Sequence, residues 1–257
     1  MKITFLGTGT SMGIPMIGCS CSTCQSTDSR DKRTRTSVWI RTGGQNIIID
    51  TGIDFRLQAL RHNIRSVDTV LFTHHHVDHI FGMDELRPIN FLQKKTVDIY
   101  AMPETVVHLK RIYPYVFDGY CGHSDTPRIN CYEIGSGVFT ANSIPVTPIP
   151  LFHGSLPIIG YRIGSFAWCT DVSAIPPESY DLLRDLDVIV LGALRDRPHP
   201  NHFTLDQAVH EAQKIRAKQT LFVHMSHEVS HKEMLKRFPE GIQPAYDGQE
   251  LVLADPS

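Results

Sequence analysis

Thr73-His74-His75-His76-Val77-Asp78-His79 puts four imidazoles and a carboxylate within seven residues, directly after the β-rich run 67–73. Neutral imidazole is the commonest protein ligand for transition metals, and a carboxylate adds a hard oxygen. In an extended segment His74 and His76 leave on the same side, because strand side chains alternate with a period of two. Asp78 and His79 can then serve a second point a few ångströms away, while His75 is expected to face elsewhere. Further ligand-type residues end later apolar runs: His153 after Ile149-Pro-Leu-Phe, Asp171 after Ala167-Trp-Cys-Thr, and His224 after Leu221-Phe-Val. Alone, each is an ordinary polar residue at a strand end. Together they collect ligands at one sheet edge, which is where open α/β sheets bind their ligands. Asp50, opening an Asp-Thr-Gly turn, reads as a residue that hydrogen-bonds and orients a ligand.

A second constellation is Gly18-Cys19-Ser-Cys21-Ser-Thr-Cys24. Three thiolates leave a tetrahedral zinc one ligand short, and His227, three residues after His224, is expected to be the fourth. A closed Cys₃His set is structural rather than catalytic. His199-Pro-Asn-His202 lies in a Pro-containing loop before a capped helix. His202 could work there as a general acid, or be only a cap or surface residue. Arg33-Thr-Arg35 could bind phosphate, but a solvated turn is the expected setting. The stretch Tyr113–Pro127, with four aromatics and little periodicity, is a candidate lid over the substrate.

These residues need elements to hold them. Runs rich in Ile, Val, Phe and Thr, bounded by Gly, Asp, Asn or Pro, predict strands over 3–6, 37–41, 46–50, 67–73, 97–101, 138–141, 144–149, 158–163, 167–170, 188–191 and 220–223. Gly43-Gly44 predicts a hairpin turn. Helices are predicted over 55–62, 103–112, 178–184, 204–217 and 232–238; in the fourth, Thr204 caps a stripe of Leu205, Ala208, Val209, Ala212 and Ile215. Interleaved strands and helices imply α/β layers in one domain over 1–257.

Composition sets the outer limits. With 257 residues, 25 Lys+Arg against 27 Asp+Glu and 41% hydrophobic residues, the chain can bury a sizeable core and is not a disordered or fibrous sequence. A net charge of −2 argues against holding long nucleic acid by counterion release, though a local basic pocket for a small phosphorylated substrate fits. No segment approaches the roughly 18 apolar residues of a membrane span. A cytoplasmic setting is expected, in which clustered cysteines bind metal rather than pair.

The set His74-x-His76-x-Asp78-His79, His153, Asp171 and His224, preceded by Asp50, resembles the five motifs of the metallo-β-lactamase superfamily, in order. The resemblance implies an αββα sandwich, two mixed β-sheets flanked by helices, with two metals at one edge. The start Gly7-Thr-Gly-Thr-Ser-x-Gly-Ile-Pro, the cysteine knuckle, Asn201-His202 and His224-Met-Ser-His227 are similar to PhnP-type phosphodiesterases, which hydrolyse phosphoribosyl 1,2-cyclic phosphate. By that resemblance His74, His76 and His153 bind one divalent ion, Asp78, His79 and His224 the other, and Asp171 bridges. His227 joins the cysteines around a structural Zn²⁺, and His202 is the general acid. Mixed His/carboxylate ligands suit Mn²⁺ or Zn²⁺, with Fe possible. The expected substrate is a small sugar phosphate or nucleotide, and a homodimer is possible. Rival activities within this fold are cyclic-nucleotide or RNA-end phosphodiesterase and thiolester or lactam hydrolase. Asp78 is expected to serve both as ligand and in orienting the nucleophile.

Overall fold

The computed structural model describes residues 1–118 and 126–256. Two seven-stranded sheets are built from β1 (Lys2–Gly7), β2 (Ser37–Thr42), β3 (Gln45–Ile49), β4 (Thr69–Leu71), β5 (Val97–Ala101), β6 (Ile129–Glu133), β7 (Phe139–Ala141), β8 (Ile144–His153), β9 (Leu156–Ile163), β10 (Phe166–Cys169), β11 (Val188–Gly192), β12 (Gln219–Val223), β13 (Ile242–Pro244) and β14 (Glu250–Val252). One runs β14-β1-β2-β3-β4-β5-β6 and the other β13-β12-β11-β10-β9-β8-β7. Both are mixed: β3 to β6 pair in parallel, as do β10 to β13, while their remaining neighbours pair antiparallel.

The alternation of side chains explains the layers. Ile47 and Ile49 of β3 turn inward with Leu221 and Val223 of β12, and the two sheets bury these against each other. Ile48, from the opposite face of β3, packs with Phe55, Leu86, Ile89, Val106 and Leu109 from helices outside the first sheet. Phe222 packs with Leu205, Ala208, Ala212 and Met234 outside the second. Central strands buried on both faces read as continuous apolar runs, as Val188–Gly192 and the last three residues of β3, Ile47 to Ile49, do. The result is helix, sheet, sheet, helix, as expected.

Most elements lie where predicted. Helix Pro103–Ile112 matches its predicted bounds, and Leu205–Ile215 carries a capping box between Thr204 and Gln207. Gly43 and Gly44 both have positive φ, which the two-residue turn between β2 and β3 requires. Helix Leu86–Gln93 was not foreseen because Pro88 interrupts its pattern, and β6, β13 and β14 were not because they are short or polar.

Arg33 is not in a solvated turn. It is buried, and donates to Thr8 Oγ1 and the Ala245 carbonyl; its Nη2 lies 3.0 Å from His231 Nδ1. Arg35 pairs with Asp54 at 3.1 Å. Burial, and after it the charges of Arg33 and Arg30, push His231 down from 6.5 to about 4. The unfolded chain then binds the proton more readily, so this stability is complete above about pH 6.5 and is lost as pH falls towards 4. Urea midpoints measured across that window should fall, and should fall less steeply in His231→Gln. Equal slopes would mean that His231 contributes nothing to the acid response.

The first part of the proposed lid is fixed to the core. Tyr113 is buried with its hydroxyl on the Ile80 carbonyl (3.1 Å), and Tyr115 donates to Asp84 (2.7 Å). Tyr120, Cys121 and His123 lie outside the described residues.

Candidate metal centre

Every predicted edge residue lies just past a strand or at its last position. Asp50 follows β3, His74 lies three residues after β4, His153 ends β8, Asp171 lies two after β10, and His224 follows β12. Three of these turns use the left-handed region: φ is 62° at Asp50, 55° at Asp171 and 58° at His224. Non-glycine residues are uncommon there, Asn, Asp and His less so than others, and such positions cluster at functional sites.

The side chains converge in two groups. His74, His76 and His153 bring their nitrogens together, and beside them Asp78, His79, Asp171 and His224 form a second, fully buried set. Asp171 Oδ1 is 3.0 Å from His224 Nε2 while its Oδ2 is 3.3 Å from His79 Nε2, and Asp78 Oδ2 is 3.4 and 3.6 Å from the same two nitrogens. The surrounding bonds select one nitrogen on each of three rings. His79 Nδ1 is 2.8 Å from Asp50 Oδ2, His153 Nδ1 is 2.7 Å from the Asp171 carbonyl, and His74 Nδ1 is 3.0 Å from Thr73 Oγ1. With Nδ1–H donating in each case, Nε2 is left as the free lone pair.

These nitrogens decide whether ions fit. Nε2 of His74, His79 and His224 is buried and makes no well-formed hydrogen bond, although carboxylate oxygens lie 3.0 to 3.6 Å from the last two. Buried polar atoms are seldom orphaned, and three of them aimed into a carboxylate-lined cavity are what ligands to divalent ions require. The residues fit two such ions.

Electrostatics agree. Burial opposes charge on Asp171, yet His224 and His79 outweigh it and hold its carboxyl well below the usual range. Burial opposes charge on His224 too, but Asp171 and Asp78 raise it to about 9. The carboxylates thus draw positive charge into this buried set, as ligands to divalent cations do. His74 is driven well below 6.5, chiefly by burial, and so is neutral.

Asp50 takes three bonds, from Thr73 N, Thr73 Oγ1 and His79 Nδ1, all at 2.8 Å. Thr73 was missed by sequence reasoning, although its place beside His74 at a strand end was a usable signal. Gly52 lets this turn approach the ligand loop: a Cβ there would overlap the Asp78 carbonyl. His75 turns away, as expected, and stacks on His108 at 3.9 Å with Glu104 nearby.

The knuckle assembles as well. Cys19, Cys21, Cys24 and His227 converge, with His227 Nδ1 3.4 Å from Cys19 Sγ and 3.2 Å from Cys21 Sγ. A tetrahedral zinc with Zn–S of about 2.3 Å and Zn–N of about 2.0 Å needs an S···N edge of roughly 3.5 Å. His227 and the amide of Cys24 lower the Cys21 thiol to about 6, against a smaller effect of burial. The four residues fit zinc.

His202 completes the centre. Its ring stacks on His224 at 4.7 Å and meets His153 edge-on at 4.6 Å, with Nδ1 3.9 Å from Asp171 Oδ1. Burial, then the neighbouring His224, lowers it to about 3, so it is neutral near pH 7. A cavity of about 290 Å³ opens onto His76, His153, Asp171, His202 and His224, with Arg195 and Glu228 further along its wall. Those last two residues were also missed from the sequence.

The β-lactamase superfamily domain profile matches residues 45–225. A crystal structure of a diphosphatase from the PhnP family superimposes with a TM-score of 0.92 at 40% identity, covering 98% of each chain. An octanoyltransferase from Porphyromonas gingivalis is 38% identical over 98% of this chain but only 52% of its own length. A ribonuclease Z from Methanococcus maripaludis is 29% identical over 63% of this chain and 48% of its own. The chain thus spans about half the length of the curated relatives it matches. A profile match across the ligand loops from Asp50 to His224, on a fold shared end to end with a 40% identical structure, makes this chain a member of the metallo-β-lactamase superfamily.

Proposed function

We propose that this chain is a dinuclear metal-dependent hydrolase of small phosphodiesters or related phosphorylated compounds, of the kind met in phosphoribosyl 1,2-cyclic phosphate. The observation that carries this is the pair of adjacent ligand groups, His74/His76/His153 and Asp78/His79/Asp171/His224, at a cavity of about 290 Å³, with His202 placed between them within reach of His153 and Asp171. A cavity of this size suits a sugar phosphate or nucleotide. Likeness to a PhnP-family diphosphatase supports phosphorus chemistry. The octanoyltransferase is nearly twice as long, and the cavity's described lining holds neither cysteine nor lysine to carry an acyl group.

His74, His76 and His153 would hold one ion, and Asp78, His79 and His224 the other, with Asp171 between them. Bound there, two divalent ions activate water and polarise phosphoryl oxygens. The chain does the rest. Asp50 and Thr73 keep the rings oriented. Asp78 accepts a proton from the attacking water as the new P–O bond forms. The P–O bond to the leaving oxygen breaks, and His202, charged once the anionic substrate is beside it, delivers a proton to that oxygen. Among the described residues no helix is long and apolar enough to cross a membrane.

The test exploits the leaving group. A ribose alkoxide needs protonation, whereas p-nitrophenolate departs as a stable anion. His202→Ala should cost on the order of 10²–10⁴ with an alkyl or ribosyl diester and far less with bis-p-nitrophenyl phosphate, at unchanged ion content. An equal loss with both substrates would remove His202 from the acid role and leave His199 as its successor. No turnover of any phosphodiester by the ion-loaded chain would overturn the proposal itself.

A further inference from the structure

The outward turn of His75 gathers a further cluster of ligand-type side chains, which neither the centre nor the knuckle uses. His75 comes from the loop after β4, and Glu104 and His108 come from the helix Pro103–Ile112. Four residues apart on that helix, Glu104 and His108 share one face. His75 lies against it, its ring stacked on His108 at 3.9 Å with the planes 5° apart. Two imidazolium ions would repel each other at that distance, so at least one ring is neutral and keeps a free lone pair. One ligand atom from each of the three residues lies within 4.8 Å of the other two.

Nothing competes for these groups. Among the described residues, none of the three side chains has a hydrogen bond or an ion pair. The two imidazoles are half-buried and the carboxylate is exposed, so an ion can reach them from solvent. Two imidazoles and one carboxylate, with a fourth position left to water, are a ligand set that zinc accepts. Bonds of about 2.0–2.2 Å to a tetrahedral ion put ligand atoms roughly 3.3–3.5 Å apart. Side chains already within 4.8 Å reach that spacing by rotating the exposed stem of Glu104 and tilting the two rings.

We propose that His75, Glu104 and His108 form a peripheral site for Zn²⁺, separate from the two-ion centre and from the cysteine knuckle. The site does not depend on the hydrolytic reading above. With three ligands and water on its open side, it exchanges its ion freely and is emptied by desalting, unlike a closed Cys₃His set. A bound ion joins the loop that carries His74 and His76 to a helix of the outer layer. Occupancy therefore favours the folded chain, as any ligand that binds only the folded state does.

Equilibrium dialysis against Zn²⁺ tests this, on chain whose centre and knuckle are already filled. Wild type should take up one ion per chain beyond those that survive desalting. Losing an outer partner of a ligand typically costs roughly 10- to 100-fold in metal affinity, so losing a ligand itself should cost at least that. Glu104→Gln and His108→Ala should each weaken the extra uptake accordingly. The ions retained after desalting should match wild type in both, which separates loss of the site from misfolding. Added Zn²⁺ should also raise the Tm of filled wild type more than that of either variant. In crystals soaked with Zn²⁺, anomalous scattering at the zinc edge should place a peak among His75, Glu104 and His108. No extra ion in wild type, undiminished uptake in either variant, or a peak that lies elsewhere would overturn the site.

Discussion

Asp171→Ala is expected to reduce phosphodiester turnover to background, even with divalent ions in excess. Its two oxygens face different imidazoles, His224 at 3.0 Å and His79 at 3.3 Å, and its own backbone carbonyl fixes His153, which belongs to the other group. The backbone link to His153 survives in the alanine variant, but both carboxylate oxygens are lost from the group of Asp78, His79 and His224 at once. Removing a single electrostatic contact in an active site costs roughly 10²–10³, and this substitution removes two. Elemental analysis should show impaired loading, and kinetics should show no rescue by added Mn²⁺ or Zn²⁺. His75→Ala is the control: its ring stacks on His108 outside the centre, so activity should stay near wild type. Comparable losses from the two variants would mean that the ligand face has been misassigned.

Cys21→Ser should have the largest effect on stability. Its sulfur lies 3.2 Å from His227 Nδ1, and the amides of Cys21 and Cys24 point at the sulfurs of Cys19 and Cys21. Structural zinc is worth about 10–16 kcal/mol in isolated zinc-finger peptides. Here two sheets stand without it, so a few kcal/mol and a fall in Tm of roughly 10 °C are expected. The zinc that resists mild chelation should disappear, while two exchangeable ions remain in excess metal. The loop has a second duty, since His224 is only three residues from His227 and the Gly7–Pro15 segment brackets it through Met225 N to Thr8 O and Thr10 N to Met225 O. Affinity at the group containing His224 should therefore weaken as well. Full metal content in Cys21→Ser would dismiss the zinc knuckle.

Much of the arrangement was legible in the sequence because residue type and position agreed. Apolar strands ended in His or Asp, and three cysteines stood at a metal-binding spacing. What stayed hidden depended on partners far along the chain. Thr73 gains its role only from Asp50, twenty-three residues earlier. Arg33 looks solvated until Thr8, Ala245 and His231 close around it. Arg195 and Arg197 both meet Glu228, the latter across thirty-one residues, a pairing that no local pattern announces. Helix Leu86–Gln93 was lost to a single Pro88 near its start, where proline is tolerated.

The left-handed backbone at Asp50, Asp171 and His224 has an engineering consequence. Each holds an L-residue where glycine or asparagine would sit with less strain, at a cost of order 1–3 kcal/mol per position. A variant library of this chain selected only for thermostability, without divalent ions, should therefore enrich asparagine at positions 50 and 171, where an amide relieves strain and charge while its oxygen still accepts a hydrogen bond. Its most heat-resistant members would be catalytically dead, so stabilising campaigns should hold these codons fixed or select with ions present.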